Sequence, residues 1–179
     1  MPELSIAEGF RHSHVMNREQ ENLIEAIQSS GYKACIVLSG GGSGSIHALL
    51  SHPGASRFVC EVQIPYCNRA MTDYLGEALG QFCSEDAAVT MAGRAFERAV
   101  MCSLGDDSEC PILGIACTAA LQTNRDRKGE DRAYICIQAR NKQKVHKIEF
   151  KTGTRAEQEE ELSQAFLETI ARFTGVAES

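Results

Sequence analysis

The sequence predicts a single layered α/β/α domain with a mixed sheet, on three observations. Apolar strand-like runs alternate with amphipathic helical stretches, an order that builds a sheet covered by helices. One run, Ala34 to Leu38, is apolar throughout, as a central strand buried on both faces requires. The chain ends in two strand-like segments close enough to pair as a hairpin, then a helix, which adds antiparallel strands to the sheet. At 179 residues, with 43% apolar and 23% charged, one domain with a sizeable core is expected.

Residues 1–16 show no period and read as an irregular N-terminal arm; 17–179 form the domain. From Asn17, the segment NREQENLIEAIQSSG places Leu23, Ile24 and Ile27 on one helical face. Asn17 and Gln20 resemble a capping box, and Gly31 ends the helix. Lys33 to Leu38 is a strand, Ser45 to Ser51 a short helix, and Arg57 to Ile64 a second strand closed by Pro65. Asn68 to Leu75 reads as a helix stopped at Gly76. Ser84-Glu85-Asp86 is a strong helix start, with a capping serine and acids in the first turn. Ala87, Ala88, Met91, Ala92, Ala95, Phe96, Ala99 and Val100 then supply a wide apolar stripe. Pro111 to Cys117 is a strand and Gln122 to Asp131 a charged turn. Arg132 to Gln138 and Val145 to Phe150 make the hairpin, and Arg155 to Phe173 is the last helix.

The segment between the first strand and the second holds the chemistry. Its strand breaks at Ser39 into Gly40-Gly41-Gly42-Ser43-Gly44, and a helix pattern follows. Successive glycine N–H groups converge on an anion, and a helix N-terminus adds a favourable dipole. The plainer reading is a flexible strand-to-helix turn without a ligand. Known phosphate and nucleophile loops do not fit. A Walker A loop needs a lysine after its last glycine, and none occurs between Lys33 and Lys128. The dinucleotide fingerprint meets Ser45 where its third glycine belongs, and the hydrolase elbow G-x-S-x-G also fails at Ser45.

The net charge of -6 disfavours a nucleic-acid partner, and no apolar run approaches membrane-spanning length. Without the apolar core of a signal peptide in residues 1–20, a cytoplasmic location is expected. Two basic clusters, Arg125, Arg127, Lys128 and Arg132, then Lys142, Lys144 and Lys147, read as solvated ends or as a rim on a small anion. The eight cysteines include no C-x-x-C pair. Cys35, Cys60, Cys110, Cys117 and Cys136 lie in or beside apolar runs, so they are read as core and no metal is expected. His12 and His14 read as solvated rather than as a metal pair.

An ordered set of short motifs resembles the C-terminal domain of CinA, the nicotinamide-nucleotide amidohydrolase family. It comprises Ser39, Gly42, the PGASRF turn at 53–58, Pro65-Tyr66 and Leu75-Gly76. Cys83-Ser84-Glu85-Asp86-Ala87 with Met91-Ala92 resembles the family's VSEEVA…MA helix, and Leu113-Gly114-Ile115-Ala116 its TGIAGP strand. Ala133-Tyr134-Ile135 resembles its GTVYIA strand, and Arg155 matches an arginine near the last helix. The resemblance implies hydrolysis of nicotinamide mononucleotide to the acid nucleotide and ammonia, in a homodimer with no cofactor. It makes Ser39 the nucleophile and Tyr66 its helper, and it places Met71 where the family has a catalytic lysine.

That departure divides the expectation. In one reading Ser39 attacks the amide with Tyr66 assisting. In the other the chain is a non-catalytic nucleotide-binding or regulatory module, because methionine takes no proton. Ser39 also reads as a hydroxyl capping the glycine turn, and Tyr66 as a base-stacking ring. His47 is a weaker candidate base, and His52 flanks the same short helix. Gly40, Gly41, Gly42, Ser43, Thr118 and Arg132 are expected to contact the ligand, with Arg127 a further candidate for its phosphate.

Overall fold

Five strands, β1 (Lys33–Ser39), β2 (Val59–Gln63), β3 (Ile112–Ala120), β4 (Asp131–Gln138) and β5 (Gln143–Phe150), form one sheet in the order β2-β1-β3-β4-β5. The computed structural model describes residues 17–77, 80–104, 110–124 and 129–177. β1 pairs in parallel with β2 and β3, and β4 and β5 add the antiparallel hairpin. The mixed sheet is the one expected.

Alternation along the strands sorts side chains to two faces. Ile36, Leu38 and Ile115 point to one side, where α1 (Arg18–Gln28), α2 (Ser43–Ser51) and α5 (Arg155–Thr174) bury Ile24, Leu49 and Phe166. Cys35, Val37 and Ala116 point to the other, against Met71 and Leu75 of α3 (Asn68–Leu75) and Met91, Ala92 and Ala95 of α4 (Glu85–Cys102). The second face uses small residues because α4 lies very close to the sheet. A side chain at Gly114 of β3 would stand 2.1 Å from the Ala92 carbonyl oxygen and 2.2 Å from the Phe96 nitrogen. Only glycine admits that approach.

Local capping explains the helix limits. The Asn17 side chain accepts the Gln20 N–H at 2.8 Å, and Ser84 Oγ accepts the Ala87 N–H at 3.2 Å. α5 begins with a full capping box, Thr154 with Glu157, whose Oε2 accepts the Thr154 N–H at 2.7 Å.

Several boundaries differ from expectation; three have a visible cause, local at α2 and tertiary at β2 and β3. α2 starts at Ser43 rather than Ser45, because Gly42 in the left-handed region already turns the chain into the helix. β2 starts at Val59 rather than Arg57. Residues Ala55–Arg57 coil into a 3-10 turn that swings the fully buried Phe58 into the core. β3 runs past Cys117 to Ala120, because Thr118, Ala119 and Ala120 pair with Tyr134, Ala133 and Arg132. Cys35, Cys117 and Cys136 are buried in their strands, whereas Cys67 and Cys102 are exposed. Burial pushes the Cys35 and Cys136 thiols up to about 12, so both stay protonated and inert. Among the described residues, no helix is long and apolar enough to cross a membrane. The arm at 1–16, with His12 and His14, and residues Arg125, Arg127 and Lys128 lie outside the described residues.

Candidate functional site

β1 and β3 run in register, so their last residues meet: Ser39 is the direct partner of Thr118. Both side chains lie on the α3–α4 face, at the carboxyl end of the parallel strands, where open α/β sheets commonly hold ligands. Ser39 is 7% exposed and Thr118 only 1%. The Thr118 hydroxyl donates to the Phe82 carbonyl at 2.7 Å, which spends its proton on the loop before α4. Ser39, Tyr66, Met71, Cys83, Thr118 and Arg155 line one cavity of about 260 Å³. Among the described residues lining it there is no histidine, lysine, aspartate or glutamate. Met71 is 1% exposed and packs into the α3–α4 core beside Val37 and Met91.

A second cavity of about 470 Å³ adjoins the first through Gly40, Tyr66 and Arg155, which line both. Arg155, the first residue of α5, ties the two together. Its guanidinium donates to the Gly40 carbonyl at 3.1 Å, the Tyr66 hydroxyl at 3.3 Å and the Gln122 carbonyl at 3.4 Å. Tyr66 is 66% exposed, an aromatic ring standing open at the mouth. Gly40 is the hinge between strand and loop. Its φ is +82°, and a side chain there would fall 2.0 Å from the Ala119 carbonyl oxygen.

The glycine loop faces the second cavity and is already engaged. Glu159, one helical turn after Arg155 and so on the same face of α5, reaches the loop with both carboxylate oxygens. Oε2 accepts the Gly42 N–H at 2.9 Å, and Oε1 accepts the Ser43 hydroxyl at 2.8 Å and the Gly44 N–H at 3.2 Å. Gly42 is the N-cap of α2 and has no side chain to cap with, so Glu159 supplies the cap from another helix. Beneath the loop, burial above all, then Cys83 and the Glu159 charge, push the Cys117 thiol well above its ordinary value.

The structure thus gathers Ser39, Gly40, Gly41, Ser43, Tyr66, Met71 and Thr118 around two joined cavities, with Gly42 holding the loop. It does not bring Arg132 there. The Arg132 guanidinium turns back to the Glu130 carbonyl at 3.1 Å and the Cys83 carbonyl at 3.2 Å, where it props the cavity wall from outside. Among the described residues, Arg155 is the cation that lines both cavities. His47 stands on the exposed side of α2, and His52 joins Gln28 and the Pro53 carbonyl away from Ser39. Lys142 sits over the Phe173 ring at 4.4 Å, and Lys147 pairs with Glu149 on β5, the sheet edge beyond β4. Glu159 is the residue that sequence reasoning missed. Its only local signal is the spacing of four from Arg155 at a helix start.

Fold and site define a class: a three-layer α/β protein with two joined cavities at the carboxyl ends of its parallel strands. Among solved structures, the chain has the fold of the competence/damage-inducible CinA superfamily. A competence/damage-inducible protein from Agrobacterium tumefaciens matches with a TM-score of 0.71 at 20% identity, over 88% of this chain and 97% of that one. A competence or damage-inducible protein from Enterobacter asburiae matches with a TM-score of 0.67 at 14% identity, over 89% and 99%. A CinA superfamily protein from Escherichia coli gives 0.64 at 16% identity, over 90% and 94%. No family model and no curated protein sequence matches the chain.

Proposed function

We propose that this chain is a CinA-type pocket protein that binds a pyridine nucleotide or its nucleoside and leaves the amide intact. The observation that carries this reading is Met71. It stands where the resemblance places a catalytic lysine, and it lines the same cavity as Ser39 while packed into the core. A serine hydroxyl attacks an amide carbon only as its proton is taken up, and a buried thioether has no basicity for that. Ser39 then serves as a hydrogen-bonding hydroxyl for the ligand. The open Tyr66 ring offers a stacking face, and Arg155 supplies positive charge at the mouth.

A second reading, a serine amidohydrolase acting on nicotinamide mononucleotide, draws on a narrower observation: Ser39 and Tyr66 share a cavity. There Ser39 Oγ bonds to the amide carbon, the C–N bond breaks, and the nitrogen leaves as ammonia with the serine proton. Water then cleaves the ester to the acid and restores the hydroxyl. A homodimer goes with either reading and is measured by light scattering. Isothermal titration with nicotinamide mononucleotide and with nicotinamide riboside tests the first reading. It predicts saturable heat from at least one, weakened about tenfold by Tyr66→Ala. Absence of saturable heat from both contradicts it.

A further inference from the structure

We infer that Glu159 is the resident anion of the glycine loop and sets the site against phosphate, so that its ligand is the unphosphorylated nucleoside rather than the nucleotide. The identity of the nucleoside rests on the pyridine-ligand reading above; the exclusion of phosphate rests on the loop alone.

A run of loop N–H groups at a helix N-terminus is a ready cradle for phosphate oxygens. In this chain the cradle is filled. The Gly42 N–H, the Ser43 hydroxyl and the Gly44 N–H all point at the Glu159 carboxylate, and both of its oxygens are used. Two of the glycines, Gly41 and Gly44, are accounted for by packing within the chain. A side chain at Gly41 would come 2.8 Å from Leu121, 3.0 Å from Leu162 and 3.1 Å from Glu159. One at Gly44 would come 2.7 Å from the Ser163 hydroxyl. The missing side chains make room for Leu121 and for α5.

Charge points the same way. Among the described residues lining the larger cavity, Arg155 and Glu159 are the charged pair, so the cation at the mouth is balanced by the carboxylate on the loop. A phosphate entering here either faces that carboxylate at short range or displaces it from three hydrogen bonds. Like charges at such distances repel strongly where water is partly excluded. An uncharged ribose hydroxyl meets neither obstacle.

The test follows thermal shift and calorimetry with inorganic phosphate, nicotinamide riboside and nicotinamide mononucleotide, on the wild type, Glu159→Ala and Glu159→Gln. Wild type is expected to bind the riboside about tenfold tighter than the mononucleotide and to show no phosphate-dependent shift in Tm. Glu159→Ala is expected to gain a phosphate-dependent shift and about tenfold in mononucleotide affinity, with riboside affinity changed less than about threefold. Glu159→Gln removes the charge with little change of shape, so it reads the same effect in smaller measure should the alanine variant fold poorly. Phosphate stabilising the wild type as much as the variants overturns the inference, as does a folded variant with no phosphate response. If riboside and mononucleotide are silent in all three proteins while phosphate titrates Glu159→Ala, the pyridine-ligand reading fails and the exclusion of phosphate stands.

Discussion

At the Ser39 wall of the site, a hydroxyl stands beside side chains that offer no base. Ser39 pairs with Thr118 at the strand ends, and Tyr66 and the buried Met71 share its cavity. At the glycine-loop wall the loop keeps the shape of an anion cradle, and the chain fills it with its own Glu159. One wall presents a buried thioether, and the other presents an anion. The contrast teaches that a pocket outline and a pocket chemistry are separable. Strand register and loop shape set the outline, and single side chains from α3 and α5 set the chemistry.

The comparison breaks most severely at Gly40, the residue both walls share. Gly40→Ala puts a side chain onto the Ala119 carbonyl in a left-handed backbone, and a loss of about 3 kcal/mol or more is expected in urea unfolding. Next comes Met71. Met71→Lys buries an amine with no partner in the α3–α4 core and costs about 2–4 kcal/mol, whereas Met71→Leu stays under about 1.5 kcal/mol. Equal stability of the two variants would show that this wall tolerates the charge that the chain lacks.

A smaller effect is expected at Arg155. Its contacts are exposed and made to oxygens at the mouth, so Arg155→Ala lowers ligand affinity about tenfold while stability changes by less than about 1 kcal/mol. The smallest concerns Glu157, whose carboxyl is held below its ordinary value of 4.5 by the backbone and side-chain hydrogen bonds of Thr154. Because the folded value is the lower one, this support for α5 is fully present above pH 4.5 and is lost as pH falls through the folded value. Glu157→Gln should flatten that stretch of the acid-stability curve, read by the unfolding midpoint between pH 5 and about 3.

Much of the fold was legible because its signals are local. Asn17 and Ser84 announce their helices with side-chain caps, and the continuous apolar run of β1 marks an interior strand. The boundaries that shifted depend on distant partners: Phe58 entering the core moves the start of β2, and pairing with β4 extends β3 to Ala120. That Ser39, Tyr66, Met71 and Thr118 lie together at one cavity was foreshadowed by the order of short motifs. The choice between Arg132 and Arg155 was not, since it turns on which carbonyls each guanidinium reaches. Glu159 meets Gly42 across 117 residues of chain, a contact that no local pattern encodes.

Ammonia release from nicotinamide mononucleotide and nicotinamide riboside by the folded wild-type chain, with Ser39→Ala alongside, tests the central claim most directly. Binding without turnover predicts no ammonia above the level of the variant. Release by the wild type that disappears in Ser39→Ala would contradict it and show that Ser39 acts as a nucleophile despite Met71.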